Sequence, residues 1–364
     1  MFKPVEILTK ILIKNALTFW VLFFALALHA DEIVKPGKYE GAKTATHPNW
    51  FKESFLDLEE DISDAAEKNK RLVVYFWQEG CPYCSQLWED NFSQKDIEET
   101  FRKNFDIVAI NLWGDRDVVT VKGHDFTEKA FAEALDIKYT PTLLFFDEKR
   151  KVTLRLNGYI PPEEFRLALE YAALRDNTKP TYAAYVANKN TLKKREKTDT
   201  NRGLQNEDFF SKAPYNLERS KEKNKKTEKY LAVFFEKADC KNCDLLHKKT
   251  LKNPLTRKLV KQFESIQLDR FSDTPVITPA GEKTTAKKWA DTLNIIYQPA
   301  IVFFDPQGKE VMRIDAQMRS FHVQSVFDYV LSGAYKTQKN FQRYISTRAD
   351  ILREHGVNID IWAY

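Results

Sequence analysis

RLVVYFWQEGCPYCSQLW, residues 71–88, decides how this chain is organised. The apolar run from Leu72 to Trp77 is short and rich in β-branched and aromatic residues, which predicts a buried strand. Cys81 and Cys84 follow it, two residues apart, and CSQLWEDNF carries helical spacing behind them. The chain holds only four cysteines, and the other two, Cys240 and Cys243, repeat the arrangement in ADCKNCDLLH (238–247). Each pair has three readings: a structural disulfide, metal ligands or a redox centre.

Placing the pairs in register exposes an internal repeat. LVVYFWQEGCPYC (72–84) lies over LAVFFEKADCKNC (231–243), and IKYTPTLLFFDEKRKV (137–152) lies over IIYQPAIVFFDPQGKE (295–310). The offset is 159 at Cys81 and Cys240 but 158 at Pro141 and Pro299, so one residue was gained or lost between them. Two copies of one domain fit the 364-residue length.

Within a copy the pattern alternates. FDIVAINLW is a second strand, and VVTVKGHDFTE is a small hairpin turning at Lys122-Gly123, with Gly281 at the matching place. TEKAFAEALDI is a helix, TLLFFDEKRKVTLRL is two strands around a polar turn, and PPEEFRLALEYAAL is a helix opened by proline. The order β-α-β-α-β-β-α places the chain in the α/β class.

The first thirty residues read as an export signal. A basic segment precedes the uncharged run ALTFWVLFFALALHA (16–30), with small residues at Ala25, Ala27 and Ala30 for cleavage. An uncleaved membrane anchor is the alternative, although the run is shorter than the ~20 residues that span a bilayer. Export permits disulfides. The formal charge is +5, of which +2 falls in residues 1–30, so nucleic acid is not an expected partner. The domains are set at 47–179 and 229–336, with a C-terminal helical tail over 337–364. Between them, 187–228 reads as a charged linker, although its middle piece NEDFFSKAPYNL carries aromatics able to dock.

A C-x-x-C at a helix start has a chemical logic. Unpaired N–H groups and the positive end of the helix dipole stabilise a thiolate on the first cysteine. That thiolate attacks a disulfide, and the second cysteine resolves the mixed disulfide. Cys81 and Cys240 are therefore the candidate nucleophiles, with Cys84 and Cys243 as resolving thiols. Pro141 and Pro299, each at the start of a strand, sit about sixty residues further on. A cis bond there turns the Thr140 backbone toward the sulfur, where it can pair with an extended substrate strand.

Strand, W-x-E-G-C-P-Y-C, helix and then Y-T-P-T-L-L-F-F resembles a thioredoxin fold. Together with the leader, the extra hairpin and NFDIVAINLWGD, it resembles the periplasmic, SoxW-like thioredoxins of bacterial sulfur-oxidation systems. The resemblance covers 47–175 strongly and 229–335 more weakly. It implies two tandem thioredoxin-like folds, each a central mixed sheet flanked by helices, joined by a charged linker. It also implies a periplasmic thiol–disulfide oxidoreductase acting on protein thiols and disulfides. A membrane or periplasmic electron donor would reload it, and no organic cofactor is needed because the cysteines carry the electrons. By the same resemblance Trp77, Pro82, Tyr83, Thr140 and Pro141 contact substrate in the first copy, and Gln298 and Pro299 in the second.

The chain departs from the family at several places. Tyr75 and Phe234 stand where many thioredoxins bury an Asp six residues before the first Cys, and Glu79 is a possible substitute base. Glu236 replaces Trp77 in the second copy, whose groove should read a different partner. Two rival readings remain in view. One is a partner-binding scaffold with structural disulfides. The other is a zinc site in CKNCDLLH, where Cys240, Cys243 and His247 give three ligands but no evident fourth. His247 is otherwise expected on the helix surface, His124 in solvent, and Trp88 and Phe92 in the core.

Overall fold

The computed structural model describes residues 35–44, 47–175, 178–186, 188–189, 203–219 and 229–364. The leader read over 1–30 lies outside them. No helix among the described residues is long and apolar enough to cross a membrane.

The first domain opens with α1 (Leu58–Glu67), which the reading above did not include. Its signal was present. Leu58, Ile62 and Ala65 share a buried face, and the Asp57 carboxylate caps the backbone N–H groups of Glu59 and Glu60. Strand β2 (Arg71–Trp77) follows, then α2 (Pro82–Gln86), which runs on as a π-helical segment over Leu87–Phe92. The rest of the domain comprises α3 (Lys95–Asn104), β3 (Phe105–Asn111), the hairpin β4 (Asp117–Val119) and β5 (Asp125–Thr127), α4 (Glu128–Ala134), β6 (Thr142–Phe146), β7 (Val152–Asn157) and α5 (Pro162–Ala173). The main sheet runs β3-β2-β6-β7, with β2 parallel to β3 and antiparallel to β6. Both faces of β2 are buried. Val73 and Tyr75 face Phe101, Phe105, Phe145 and Phe165, while Leu72, Val74 and Phe76 face Val108, Ile110 and Leu144. That is why the run reads as continuously apolar rather than alternating.

The second domain repeats this plan. It holds β10 (Leu231–Glu236), α6 (Lys241–Leu245) with a π-helical continuation over Leu246–Thr250, α7 (Pro254–Val260) and β11 (Glu264–Asp269). These are followed by β12 (Pro275–Ile277), β13 (Lys283–Thr285), α8 (Ala286–Thr292), β14 (Ala300–Phe304), β15 (Glu310–Ile314) and α9 (Ser320–Leu331). The repeat extends to pairing register. Val74 sits opposite Leu144, and Val233 sits opposite Val302. Both domains carry the same irregularity in their outer strand pair, at Phe145/Phe146 and at Phe303/Phe304. The lost residue falls later, between the start of α3 or α7 and the strand that follows it. Helix starts Lys95 and Pro254 keep the 159 offset, whereas the strand partners Asp106 and Glu264 are 158 apart.

Residues 203–219, inside the span read as linker, belong structurally to the second domain. Strand β8 (Phe210–Ser211) extends its sheet beside β11, and β9 (Tyr215–Asn216) pairs with β12. Phe210 buries its ring against Phe234, which holds this piece in place.

The two domains pack face to face about a local pseudo-two-fold axis, and equivalent residues meet across it. Asn157 Nδ2 donates to Asp315 Oδ2 at 2.9 Å, and Gln317 N donates to the Tyr159 carbonyl at 3.3 Å. Gly158 lies against Ala316 so closely that a Cβ on the glycine would sit 2.5 Å from the alanine Cβ. Contact between like surfaces is the isologous arrangement of a symmetric dimer, here within one chain. The C-terminal helix α10 (Phe341–Glu354) packs on α9, and β16 (Ile359–Asp360) pairs with β1 (Tyr39–Glu40). The tail therefore clasps both domains.

Candidate functional site

In the first domain, Gly80 takes a positive φ of 70° and turns the chain from β2 into α2, a conformation natural to glycine. Cys81 becomes the residue that caps α2, with Pro82 at its first turn. Cys81 and Cys84 are joined in a disulfide with Cα atoms 5.3 Å apart. The Cys84 backbone N–H points at Cys81 Sγ from 3.0 Å, and the Thr140 hydroxyl donates to the same sulfur at 3.3 Å. The Thr140 carbonyl oxygen lies 3.6 Å from it, and the Thr140-Pro141 bond is cis. Residues 59 positions apart are thus assembled around one cysteine, itself only 3% exposed.

Tyr83 of the C-P-Y-C turn joins the edge of the first domain's core and reaches the second domain. Its hydroxyl accepts from the Arg319 N–H at 2.8 Å and donates to His322 Nδ1, 3.3 Å away. Burial pulls the His322 pKa down to about 4, so the ring is neutral and its Nδ1 is free to accept. Trp362 stands edge-on to the Tyr83 ring at 5.2 Å, and the Arg319 guanidinium lies over both Trp362 and Tyr364. A cavity of about 400 Å³ opens at Cys81, Pro82 and Thr140. Its far wall is Met318, Phe321, His322 and Ile361, with Gln342, Ser346 and Arg353 of α10. Gln78 bridges to that wall. It donates to Gln342 Oε1 at 2.9 Å and accepts from Trp113 Nε1 at 2.7 Å.

Not every expected contact gathers at this cavity. Trp77 packs inward, edge-on to His47 at 4.4 Å, and does not line the cavity. Glu79 is exposed at the rim, and Tyr75 is buried in the core with its hydroxyl pKa pushed far up by desolvation. Neither stands in for the missing acid beneath the pair. Gln78, Trp113, Phe321, His322 and Gln342 were not singled out from the sequence. Three of the five lie more than 230 residues from Cys81, on helices whose periodicity explains them as ordinary packing.

The second pair repeats the geometry with different neighbours. Asp239 takes the positive φ (54°), Cys240 caps α6, and Cys240 and Cys243 form a disulfide with Cα atoms 5.1 Å apart. The Cys243 N–H lies 3.0 Å from Cys240 Sγ, and the Gln298 carbonyl lies 3.7 Å from it, before the cis bond to Pro299. The cleft at Asn242 and Pro299 shrinks to about 20 Å³, because Met318 and Tyr364 fill it. His247 is buried, not on the surface as expected. Its Nδ1 and Nε2 lie 3.1 Å from Glu207 and Glu236. Burial alone would depress its pKa, but these two carboxylates outweigh that and raise it. With both cysteines in a disulfide and the imidazole engaged at both nitrogens, the zinc reading of CKNCDLLH has no ligand set. Among the described residues there is no metal-competent group of three His, Cys, Asp or Glu side chains. His124 is exposed and Phe92 is core, with Trp88 packed against it.

A family description of the thioredoxin-like domain matches the chain twice, over residues 58–173 and 217–331. Solved structures align with it at low identity. A thioredoxin-fold protein from Helicobacter pylori is 21% identical, over 35% of this chain and 84% of its own, with a TM-score of 0.29. A thioredoxin from Thermus thermophilus is 19% identical over 39% and 91%, with a TM-score of 0.27. A disulphide isomerase from Xylella fastidiosa is 14% identical over 41% and 99%, with a TM-score of 0.24. No curated protein matches the chain.

Proposed function

The chain belongs to the thioredoxin-like domain family, and from that membership we propose that it is an exported thiol–disulfide oxidoreductase working through Cys81 and Cys84. The observation that carries this reading is the crowd of donors at one sulfur. Cys81 Sγ sits at the start of a helix, within reach of the Cys84 N–H and the Thr140 hydroxyl. When the disulfide opens, those donors face a thiolate and lower its pKa. Cys81 then attacks an incoming disulfide and Cys84 resolves the adduct. No acid sits where thioredoxins bury one: that position is Tyr75, buried in the core. The finer placement, near the periplasmic sulfur-oxidation thioredoxins and their membrane electron donors, rests on the W-x-E-G-C-P-Y-C and NFDIVAINLWGD stretches.

The second domain supports a different role. Its cleft is filled by Met318 and Tyr364, and its cysteine sulfur lacks a hydroxyl donor, because Gln298 replaces Thr140. We assign Cys240–Cys243 a structural part, with the domain serving as the wall of the first site. A redox titration that reads each pair separately by alkylation and mass spectrometry tests both statements. Cys81–Cys84 should titrate between about −120 and −270 mV, the range of thiol–disulfide catalysts, and Cys240–Cys243 below about −300 mV. A Cys81–Cys84 potential below −300 mV, or full turnover of Cys81→Ser, removes the enzymatic reading.

A further inference from the structure

We propose that the Cys81 site takes a low-molecular-weight disulfide of cystine size, not a folded protein; this rests on the redox assignment of Cys81 and Cys84 made above. A protein substrate in an extended conformation needs the free backbone edge beside the cysteine, at Thr140 and along Gly158–Tyr159. In this chain the second domain already lies there. Ala316 covers Gly158, Gln317 N donates to the Tyr159 carbonyl, and Asp315 accepts from Asn157. Tyr83, the second of the two residues between the cysteines, is 6% exposed beneath His322 and Trp362. A standard protein interface covers ~800 Å² of each partner, and among the described residues these contacts already occupy the edge beside Cys81.

The cavity is what remains. At about 400 Å³ it lies toward the small end of the ~300–1,000 Å³ range of small-molecule sites. Its wall carries the amides of Gln78 and Gln342, hydrogen-bonded to each other, and the opposite charges of Asp350 and Arg353, which pair at 3.4 Å. An amino-acid disulfide would exchange these internal contacts for contacts with its α-ammonium and α-carboxylate. The chemistry balances without another cofactor. The Cys81 thiolate attacks one sulfur of RSSR, so Cys81–S–S–R forms and RS⁻ leaves. The Cys84 thiolate then attacks the Cys81 sulfur, giving the Cys81–Cys84 disulfide and a second RS⁻. Two electrons pass from the dithiol to the substrate, and the two thiol protons end on two RSH. An external dithiol reloads the pair and leaves as its own disulfide.

The test uses the full chain, reduced with dithiothreitol and freed of it. It is mixed with L-cystine or with insulin, quenched with an alkylating reagent, and the Cys81–Cys84 peptide is read by mass spectrometry. The cystine-to-insulin rate ratio, divided by the same ratio for free dithiothreitol, should exceed ten. Ser346→Trp, which places an indole in the cavity from the exposed side of α10, should slow cystine at least fivefold without shifting the melting temperature. A normalised ratio near or below one overturns the inference while leaving the oxidoreductase reading intact, as does a cystine rate indifferent to Ser346→Trp in a folded variant. Failure of reduced Cys81 to react with either disulfide overturns both.

Discussion

Gly158→Ala is the sharpest probe of the docked state. Gly158 holds a φ of 70°, where an alanine costs roughly 1–2 kcal/mol. The new Cβ also meets Ala316 Cβ at 2.5 Å, and overpacking of that kind costs about 1–3 kcal/mol. The two add to roughly 2–5 kcal/mol, but only while the domains stay together. The steric part is capped by the free energy of docking, because the domains separate once it is exceeded. Ala316→Gly in the same background removes the second methyl and leaves only the φ strain. Urea unfolding of wild type, both single variants and the double variant should therefore give a coupling of about 1–3 kcal/mol. Gly158→Ala should also raise the rate of insulin reduction, as the groove at Thr140 opens. A coupling below about 0.5 kcal/mol would refute the close approach of the two residues. An unchanged insulin rate in a variant that has lost docking would refute the claim that docking guards the site.

Three further expectations follow from the charged and titrating groups. His322, with its pKa held near 4, favours the docked state above pH 6.5, and that contribution is lost as pH falls from 6.5 through 4. The shift corresponds to about 3 kcal/mol at most; wild type should lose more stability than His322→Phe between pH 7 and 4 in calorimetry. Asp315 has the opposite sign. Desolvation raises its carboxyl pKa, so its stabilising effect is present at low pH and lost as pH rises through its folded value. Asp315→Asn should gain on wild type in melting temperature as pH increases. His247→Ala leaves the buried Glu236 without its counter-charge, while Glu207 keeps Arg257, and should cost about 3 kcal/mol in urea unfolding. Because the His247 pKa is raised, wild-type stability from this group is complete below pH 6.5 and declines as pH rises through its folded value.

The strands and the cysteine turns were legible because their signals are local. RLVVYFW and LAVFFE are apolar on both faces, and a sheet covered on both sides demands that. Two residues of positive φ, Gly80 and Asp239, precede the two cysteines, and the helices begin where the motif places them. The docking of NEDFFSKAPYNL was legible in its aromatics, but its strand was not. Phe209 and Phe210 sit among charges that mask a short strand, and only β11 supplies the partner that makes it one. Likewise, Glu236 in place of Trp77 signals a changed groove, but nothing in its neighbourhood says that a histidine eleven residues on will neutralise it.

The cavity was illegible for a deeper reason. Phe321 and His322 lie in SFHVQSVFDYVL, where an amphipathic helix accounts for every apolar letter. That the helix start lies over Tyr83 depends on how two copies of one fold pack, and a repeat in sequence does not state its symmetry. The pseudo-two-fold axis through Gly158 and Ala316 supplies what the motif lacks. A duplicated substrate-binding face is self-complementary in the way an isologous dimer interface is. Placed in one chain, it meets its copy at the high effective concentration that a linker provides, mM for a short flexible one. Each copy then occupies the other's groove before any protein partner arrives. Asymmetry decides which groove retains space. Tyr364 narrows the cleft at Asn242 and Pro299, whereas at Cys81 the smaller Ser346 and Ala349 leave room against Gln78 and Trp113. Duplication followed by such divergence turns one of two equivalent thiol sites into the lid of the other, and the size of what reaches Cys81 is set by the copy that closed.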